Sequence, residues 1–380
     1  MCPEAPGPAC DPAFESRRLP DPLPGPRGDG PVAASEPGGR PGGDRLERWR
    51  GRVLAVVGLG QIGGSLAAAA RPLVGRVLGF DRDPAALDHA LAAGWVDAGS
   101  SAGLDLLREA DAVVLAVPLG AMPAVLEQAR PFLRPGVLLT DTGSVKGPVV
   151  AAARQHVPAQ VAFVGGHPMA GTERWGAAAA DPGLFRGCTW VLTPAAPWGD
   201  EAARPWIPLL EAAGARVLLM DPVDHDRHVA LASHLPLLVA AALAGTARRG
   251  AGSLPHLAGL VAGGFRDTTR VAGGHPVLGR DMLRANWVHL APWLEILKEE
   301  LDRLARAVSP AGPGEGPAGP EGRAGGTGAG GDDLTALPQG DEGGDPLFRY
   351  LDAARRFREA ILHRPGPSAE TARPGSSEDG

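Results

Sequence analysis

The stretch that decides the fold is residues 52–66, RVLAVVGLGQIGGSL. Its opening RVLAVV is mostly apolar and rich in valine, which predicts a short buried strand. Gly58, Gly60 and Gly63 follow with the spacing G-x-G-x-x-G, and the alanine-rich residues after them favour a helix. A strand, a glycine turn and a helix start are the context in which this spacing binds a dinucleotide.

The positions of the motif residues predict their roles. Gly58 permits the tight turn, Gly60 lets a pyrophosphate approach the backbone, and Gly63 lets the helix lie close to the strand. Gln61 and Ile62 begin the helix, whose free N–H groups can bind phosphates. We therefore expect all of these residues to contact the cofactor.

Asp81 supplies the acidic residue that this motif requires about 20 residues further on. It directly follows a second predicted strand, RVLGF at 76–80. A carboxylate there accepts hydrogen bonds from the adenosine ribose and repels a 2′-phosphate, so NAD is favoured over NADP. Arg82 beside it weakens this exclusion. The alternative, a glycine turn that holds no cofactor, is disfavoured because strand, helix and acid occur together.

The alternation of strands and helices continues to about residue 219. Helices are predicted near 103–110 and 121–132, and further strands at 112–118, 137–140, 161–164, 188–192 and 215–219. This pattern predicts an α/β fold with a Rossmann-type, doubly wound parallel sheet whose ligands lie at the carboxyl edge. Pro118, DTGSVKG at 141–147 and GGHPMAGTE at 165–173 fall at that edge, so we expect them to line one cleft.

A smaller, all-helical domain is predicted after LLMDP at 218–222, where the strand pattern stops. An apolar stripe near its end fits the domain's own core and a dimer interface equally well; its members are Trp287, Leu290, Trp293, Leu294 and Leu297. His225 and His228 are interpreted as surface residues of an apolar helix. No metal site is expected there, because no HExxH motif or cysteine partner accompanies them.

Composition excludes several classes of partner. The net charge of −6 with no basic block argues against nucleic acid. Cys2, Cys10 and Cys188 form no CxxC motif, which fits a reduced cytoplasm. No apolar run of about 20 residues occurs, so no membrane span is expected. The first residues contain no apolar segment typical of a secretory signal, so none is expected.

A set of motifs now stands in one order: GLGQIGGSL, GFDRD, AVP, DTGSVKG, GGHPMAGTE, DHDRHVALASHLP and GGFRDTTRVA. In this combination the chain resembles the prephenate dehydrogenase family, with its arogenate-specific relatives, over about residues 52–300. The resemblance implies a nucleotide-binding domain that holds NAD and a helical domain that forms a homodimer. It implies oxidative decarboxylation of prephenate to 4-hydroxyphenylpyruvate, on the route to tyrosine.

The resemblance also implies which residues carry the chemistry. His167 matches the catalytic histidine, and Ser144 is its neighbour in the site. A neutral histidine suits the reaction, because it can accept the proton of the substrate hydroxyl while hydride leaves the same carbon.

The substrate residues are implied in the same way. His234 and Arg270 contact substrate, and Glu173 with Asp267 joins an ionic network around Arg270. The planar guanidinium can bind a carboxylate through two hydrogen bonds. For Lys146 the sequence leaves two alternatives, a cofactor phosphate or solvent.

The expected domains follow from these motifs and from the density of proline and glycine. They are a disordered extension at 1–45, an NAD-binding domain at 46–221, a helical substrate and dimerisation domain at 222–308 with 346–364, a low-complexity linker at 309–345 and a disordered tail at 365–380.

Two other functions remain open. The first is arogenate dehydrogenase, because Gly279 stands where some relatives carry an aromatic residue near the substrate. The second is a catalytically idle NAD-binding protein, which would be expected to lack His167 or Arg270, yet both are present.

Overall fold

The computed structural model describes residues 46–309 and 346–363. The predicted disordered segments at 1–45 and 365–380, and residues 310–345 of the predicted linker, lie outside the described residues.

An eight-stranded sheet with the order β3-β2-β1-β4-β5-β6-β7-β8 forms the first half of the fold. Its strands are β1 Val53–Val57, β2 Arg76–Phe80, β3 Ala98–Ser100, β4 Ala112–Leu115, β5 Leu138–Asp141, β6 Ala162–Pro168, β7 Thr189–Thr193 and β8 Arg216–Leu219. The order runs outward in both directions from β1 and β4, which confirms the predicted doubly wound α/β fold.

One strand pair departs from the predicted parallel arrangement. β7 runs antiparallel to β6, with Val191 opposite His167, whereas all other pairs between the described strands are parallel. The connection between β6 and β7 contains only the 3-10 turn Ala177–Ala179 and no α-helix. A parallel neighbour normally requires a crossover helix, so the chain here turns back beside β6.

Helices cover both faces of the sheet and then continue alone. They are α1 Gln61–Ala70, α2 Pro84–Ala92, α3 Met122–Ala129, α4 Gly147–His156, α5 Ile207–Ala212, α6 Pro222–Val229, α7 Leu235–Gly250, α8 Leu257–Leu260, α9 Gly263–Thr269, α10 Pro276–Ala285, α11 Trp287–Val308 and α12 Pro346–His363. Past β8 the described chain is helical, as predicted. The predicted helix near 103–110 is instead the 3-10 helix Asp105–Glu109.

Local sequence explains where several helices start. The side chain of Asp83 accepts a hydrogen bond from Ala85 N, and Pro84 occupies the first helical position of α2. Asp221 accepts from the first-turn N–H groups of α6 in the same way, again followed by a proline. Such caps satisfy N–H groups that have no partner within the helix, and each contributes about 1 kcal/mol.

The core lies on the two faces of the sheet. Along β1, Leu54 and Val56 pack into one apolar cluster, whereas Ala55 and Val57 pack into the other. This alternation follows from the two-residue period of a strand whose faces are both covered. Fully burying one leucine contributes about 1.5–3 kcal/mol, so the central strands anchor the edge where their loops emerge.

The glycine turn after β1 has the close packing that the motif requires. Gly58 has a φ of +93°, and a Cβ atom there would lie 2.3 Å from the carbonyl oxygen of Ala116. A Cβ atom at Gly63 would lie 1.8 Å from the carbonyl oxygen of Gly58. A side chain at Gly58 would clash with the backbone after β4, and one at Gly63 would push α1 away from the glycine turn.

The helical run Pro222–Gly250 is long and apolar enough to cross a membrane by length and composition alone. Its first turns nevertheless carry the buried polar residues His225, Asp226 and His234. Asp226 accepts hydrogen bonds from the backbone of α4, so this run is packed against the sheet as part of the fold.

Candidate active site

His167 lies in β6 at the carboxyl edge of the sheet, and only 9% of its surface is exposed. The strand was predicted to end at residue 164, but it continues to Pro168 because β7 pairs with this extension. The preceding Gly166 passes close to β5, where a Cβ atom would lie 2.4 Å from Asp141 O. The two glycines before the histidine therefore allow β6 to carry His167 over the sheet edge.

The imidazole of His167 is joined to a second histidine and an acid. His167 Nδ1 lies 2.8 Å from His225 Nε2, and His225 Nδ1 lies 2.8 Å from Asp226 Oδ1. His225 is 1% exposed, so its interpretation as a surface residue is wrong. His225 and Asp226 share a buried face of α6 with Val229, three and four residues on, and that face packs against the sheet.

This chain of contacts fixes where the protons lie. The Asp226 carboxylate only accepts, so His225 donates to it from Nδ1. A neutral imidazole has one donor and one acceptor, so His225 Nε2 accepts the Nδ1–H of His167. His167 Nε2 is then the nitrogen with a free lone pair. The arrangement has the logic of a catalytic triad, in which an acid orients the base.

Electrostatic effects keep His167 neutral at one end of this chain and Asp226 ionised at the other. Burial lowers the pKa of His167 well below its usual value of 6.5, and electrostatic interactions with the neighbouring His225, Lys146 and His234 lower it further. Burial raises the pKa of Asp226, but hydrogen bonds from His225 and from the backbone N–H groups of Lys146 and Gly147 outweigh it and hold that pKa below its usual value. His167 is thus a neutral base and Asp226 an anion near pH 7.

Lys146 lies beneath this site and does not reach solvent. Its side chain is fully buried, forms an ion pair with Asp141 and donates a hydrogen bond to Gly166 O at 2.6 Å. Burial lowers the pKa of Lys146, and the charge of Asp141 opposes that effect. The alternative in which Lys146 faces solvent is therefore wrong, and Lys146 supports the backbone that precedes His167.

Asp226 also ties the helical half of the fold to the sheet. Its two carboxylate oxygens accept from Lys146 N and Gly147 N, each at 2.7 Å, at the start of α4. The same side chain therefore caps a helix of the sheet half and orients His225. Both roles depend on its negative charge.

His234 occupies a second buried position nearby. It ends the π-helical turn Ala230–His234 and is fully buried. Its Nδ1 lies 2.9 Å from Asn286 Nδ2, and its Nε2 has no partner among the described residues. Burial lowers the pKa of His234 from 6.5 to about 4, against a smaller opposing effect of Asp226. π turns are rare and occur frequently at functional sites.

The loop after β6 reaches across to the helical half. Glu173 pairs with Arg270, with 3.2 Å between Oε2 and Nη1, and both side chains are largely exposed. A hydrogen bond from its own backbone N–H and the bond from Arg270 hold the pKa of Glu173 below its usual value. Asp267 forms no ion pair with Arg270 among the side chains that the structure describes, so the predicted network is present only as this pair.

The same loop also contacts the nucleotide-binding turn. Gln61 Nε2 donates to Thr172 Oγ1 at 2.7 Å, and Thr172 N donates to Gln61 Oε1 at 3.0 Å. The loop from Met169 to Gly176 therefore touches the predicted cofactor site through Thr172 and the predicted substrate site through Glu173.

The other predicted residues lie along the same edge. Gly60 is the N-cap of α1 and has no side-chain cap, so the first-turn N–H groups of Gln61 and Ile62 face no competing acid. Asp81 accepts from Leu59 N at 2.7 Å through Oδ2 and from Asp83 N at 2.9 Å through Oδ1. Each oxygen keeps a second acceptor site, because a carboxylate offers about four. These groups fit the phosphates and ribose of a dinucleotide.

Ser144 and Pro118 complete the set of predicted residues. Ser144 is half-buried in the turn between β5 and α4, and its hydroxyl forms no hydrogen bond with another described residue. Pro118 is exposed three residues past the end of β4, at the start of a 3-10 turn.

His225, Asp226 and Asn286 belong to the site but were not predicted to. One signal was available for the first two: they share a helix face with Val229, and polar residues on an apolar face require buried partners. Asn286 carried no such signal, because it lies at the junction of α10 and α11 and its partners come from α6 and the π turn.

Comparisons with known proteins agree on one family. The family model described as prephenate dehydrogenase, nucleotide-binding domain, matches residues 66–219, and the model described as prephenate dehydrogenase, dimerization domain, matches residues 221–314. A prephenate dehydrogenase of Bacillus subtilis is 34% identical over 312 residues, which cover 81% of this chain and 76% of the relative. A cyclohexadienyl dehydrogenase of Zymomonas mobilis is 35% identical over 259 residues, or 67% of this chain and 88% of the relative.

Solved structures are similar as well. An arogenate dehydrogenase of Synechocystis has a TM-score of 0.58 and 35% identity, covering 67% of this chain and 91% of that one. A prephenate dehydrogenase of Aquifex aeolicus, in complex with hydroxyphenyl propionate and NAD+, has a TM-score of 0.66 and 26% identity, covering 82% of this chain and 98% of that one.

Proposed function

The chain belongs to the prephenate dehydrogenase family, and we propose that it catalyses the NAD-dependent oxidative decarboxylation of prephenate to 4-hydroxyphenylpyruvate and carbon dioxide. The observation that carries this proposal is the chain His167–His225–Asp226, which gives His167 Nε2 a free lone pair beside the nucleotide-binding edge.

His167 acts as the base. NAD, when bound, supplies the acceptor for the hydride that leaves C4 of the substrate. His167 Nε2 takes the proton of the C4 hydroxyl, so that positive charge does not build up on that oxygen. The bond to the ring carboxylate then breaks, carbon dioxide leaves, and its electron pair completes an aromatic ring. Through His225, Asp226 stabilises the imidazolium that forms on His167.

The glycine turn holds the cofactor. Gly58, Gly60 and Gly63 shape the turn, and the N–H groups of Gln61 and Ile62 bind the pyrophosphate. Asp81 accepts from the ribose hydroxyls while it braces the turn through Leu59 N, and Pro118 contributes the neighbouring wall of the cleft. The Aquifex relative with NAD+ bound supports this assignment.

Cationic and neutral donors hold the substrate. Arg270 binds a carboxylate and is kept in place by Glu173, while His234 donates from a buried position. Asp267 lies one helical turn before Arg270 and joins it when substrate is bound. Ser144, whose hydroxyl has no protein partner among the described residues, holds the substrate hydroxyl or the imidazole of His167.

Arogenate is the second candidate substrate, because relatives with 35% identity are named cyclohexadienyl and arogenate dehydrogenases. Steady-state rates of the purified full chain with prephenate and arogenate, each with NAD and NADP, distinguish them. We expect the highest kcat/KM for prephenate with NAD. A higher value for arogenate would select the second candidate, and no turnover of either would leave a non-catalytic NAD-binding protein.

We also propose a cytoplasmic homodimer that forms through the helical half, with the domain boundaries given above. The match to a dimerization domain supports this assembly. Large apolar side chains stay exposed there in the single chain, including Trp287 at 50%, Val288 at 73% and Leu260 at 78%. Light scattering on purified protein tests the dimer, and a monomer at micromolar concentration would contradict it.

A further inference from the structure

Asn286 holds one of the site histidines from a buried position. It lies between α10 and α11 and is 1% exposed. Its Nδ2 lies 2.7 Å from the backbone oxygen of Asp226 and 2.9 Å from His234 Nδ1.

The orientation of this amide follows from its partner. A backbone carbonyl oxygen can only accept, so the end of Asn286 that faces Asp226 O must be the NH₂ group. Turning the amide over would place two acceptors against each other. The second hydrogen of the same NH₂ group then points to His234 Nδ1, which must accept it.

The proton of neutral His234 is therefore on Nε2. This N–H is buried and has no partner among the described residues. A buried donor without a partner costs free energy until something accepts from it. A substrate oxygen that reaches Nε2 would supply the acceptor that the described residues do not.

We propose that Asn286 is a positioning residue that fixes His234 as the Nε2–H tautomer, so that His234 presents a neutral donor to a keto or carboxylate oxygen of the substrate. This inference rests on the proposed function for the identity of the substrate, but not for the tautomer. His167 has the opposite assignment, with its proton on Nδ1 and its lone pair on Nε2. The site thus holds one histidine that accepts and one that donates at the same ring position.

The tautomer is tested first on the unmodified protein. The full chain is labelled with ¹⁵N-histidine, and long-range ¹H–¹⁵N spectra are recorded at about pH 7, where a neutral ring is expected. The His234→Gln variant identifies the signal. We expect a proton on Nε2 of His234. His228 is the internal control, because its Nδ1 lies 2.6 Å from Asp224 O and must carry the proton. A His234 signal with the proton on Nδ1, or on both nitrogens, would overturn the proposal.

The consequence for substrate is tested with Asn286→Asp. A carboxylate accepts from His234 Nδ1, so the proton leaves Nε2 and the donor is lost. We expect the KM for prephenate to rise about tenfold or more, as for the loss of one buried hydrogen bond, while the KM for NAD stays unchanged. Asn286→Gln, which keeps an amide NH₂ group that can donate to His234, is the conservative variant expected to restore part of the affinity.

These outcomes separate the inference from the proposed function. An unchanged KM in Asn286→Asp, with the tautomer shown to be reversed, would overturn the role of the donor while the function stands. If wild-type protein does not oxidise prephenate, the spectrum still decides the tautomer and binding of 4-hydroxyphenylpyruvate replaces KM as the measure of affinity.

Discussion

His225 Nε2 lies 2.8 Å from His167 Nδ1, so a helix of the second half of the fold sets the protonation of a residue on the sheet. The sheet half supplies the base His167, and the helical half supplies His225 and Asp226, which orient it. Neither the position of His167 at the sheet edge nor the face of α6 is sufficient by itself.

His167→Asn should remove the base while a polar side chain remains in β6. We expect kcat to fall by about 10²–10⁴, the usual contribution of a general base, with little change in the KM for prephenate. Arg270→Ala should show the opposite pattern, a large rise in KM, because it removes a carboxylate partner. Steady-state kinetics at saturating NAD measure both. Near-normal kcat in His167→Asn would place the base elsewhere.

Asp226→Asn should reverse the whole proton chain. The amide can donate to His225 Nδ1, which moves the His225 proton to Nε2 and forces His167 to carry its proton on the nitrogen that should be free. We expect kcat to fall by about 10²–10⁴, as for a reversed triad histidine. Asp221→Asn is the matched control, since Asp221 also caps a helix but lies outside the chain. Equal losses in both variants would mean that capping alone matters.

Stability should fall in acid because His234 resists protonation when folded. The unfolded chain binds a proton here below about pH 6.5, whereas the folded chain does not until about pH 4. The contribution of His234 to the free energy of unfolding is therefore fully present above about pH 6.5. It is lost as the pH falls toward 4, and the loss amounts to about 3 kcal/mol in total. Burial lowers the pKa of His167 too, which adds to the same trend.

Urea unfolding at several pH values across this window measures the trend. His234→Gln should flatten the pH dependence, and His228→Gln, at an exposed position, should not. The same slope in His234→Gln and wild type would show that other groups cause the acid sensitivity.

Asp81→Ser should weaken NAD binding for two reasons. It removes a charged acceptor for the ribose hydroxyls, and it releases Leu59 N, which Asp81 holds at 2.7 Å. We expect a loss of about 1.5–3 kcal/mol in NAD affinity and a narrower preference over NADP. Asp83→Ser is a suitable control, because Asp83 lies two residues after Asp81 and its side chain caps α2. An unchanged ratio of NAD to NADP efficiency would remove Asp81 from cofactor selection.

Gln61 and Thr172 should act as one unit. Gln61→Leu and Thr172→Val each break the bond between Gln61 Nε2 and Thr172 Oγ1, so their combined effect on the KM for NAD should be smaller than the product of the single effects. We expect a rise of a few-fold in each single variant, in keeping with about 0.5–1.5 kcal/mol per exposed hydrogen bond. Thr246→Val, on α7, is the control. Multiplicative effects would show that the two residues are independent.

Much of this fold could be predicted because its signals are local. Each signal, whether glycine spacing, β-branched run or capping residue, lies within a few residues of the structure that it specifies. The strand predicted at 76–80 is observed at those residues, and the strand predicted at 188–192 is observed at 189–193. The antiparallel direction of β7 was not predicted, because the strand pattern alone does not show that the connection from β6 lacks a crossover helix.

The same distinction between local signals and long-range packing applies to the residues of the site. Asp81 directly follows β2 and His167 lies near the end of β6, so their positions at the carboxyl edge could be inferred. Lys146 could not be placed, because its burial depends on Asp141 and on the carbonyl of Gly166, which meet only when β5 and β6 pair. Asn286 acquires its partners only through the packing of four helical segments.

The capping of α4 by Asp226 has a consequence for dissecting the molecule. The matched nucleotide-binding and dimerization domains meet between residues 219 and 221, a few residues before Asp226. A cut at that boundary would give a sheet fragment with an uncapped helix and an unsupported His167, and a helical fragment in which Asp226 has lost the backbone donors Lys146 N and Gly147 N. Chimaeras that exchange domains with relatives should therefore place their crossover after Asn286, so that the chain His167–His225–Asp226 and the pair His234–Asn286 are inherited together.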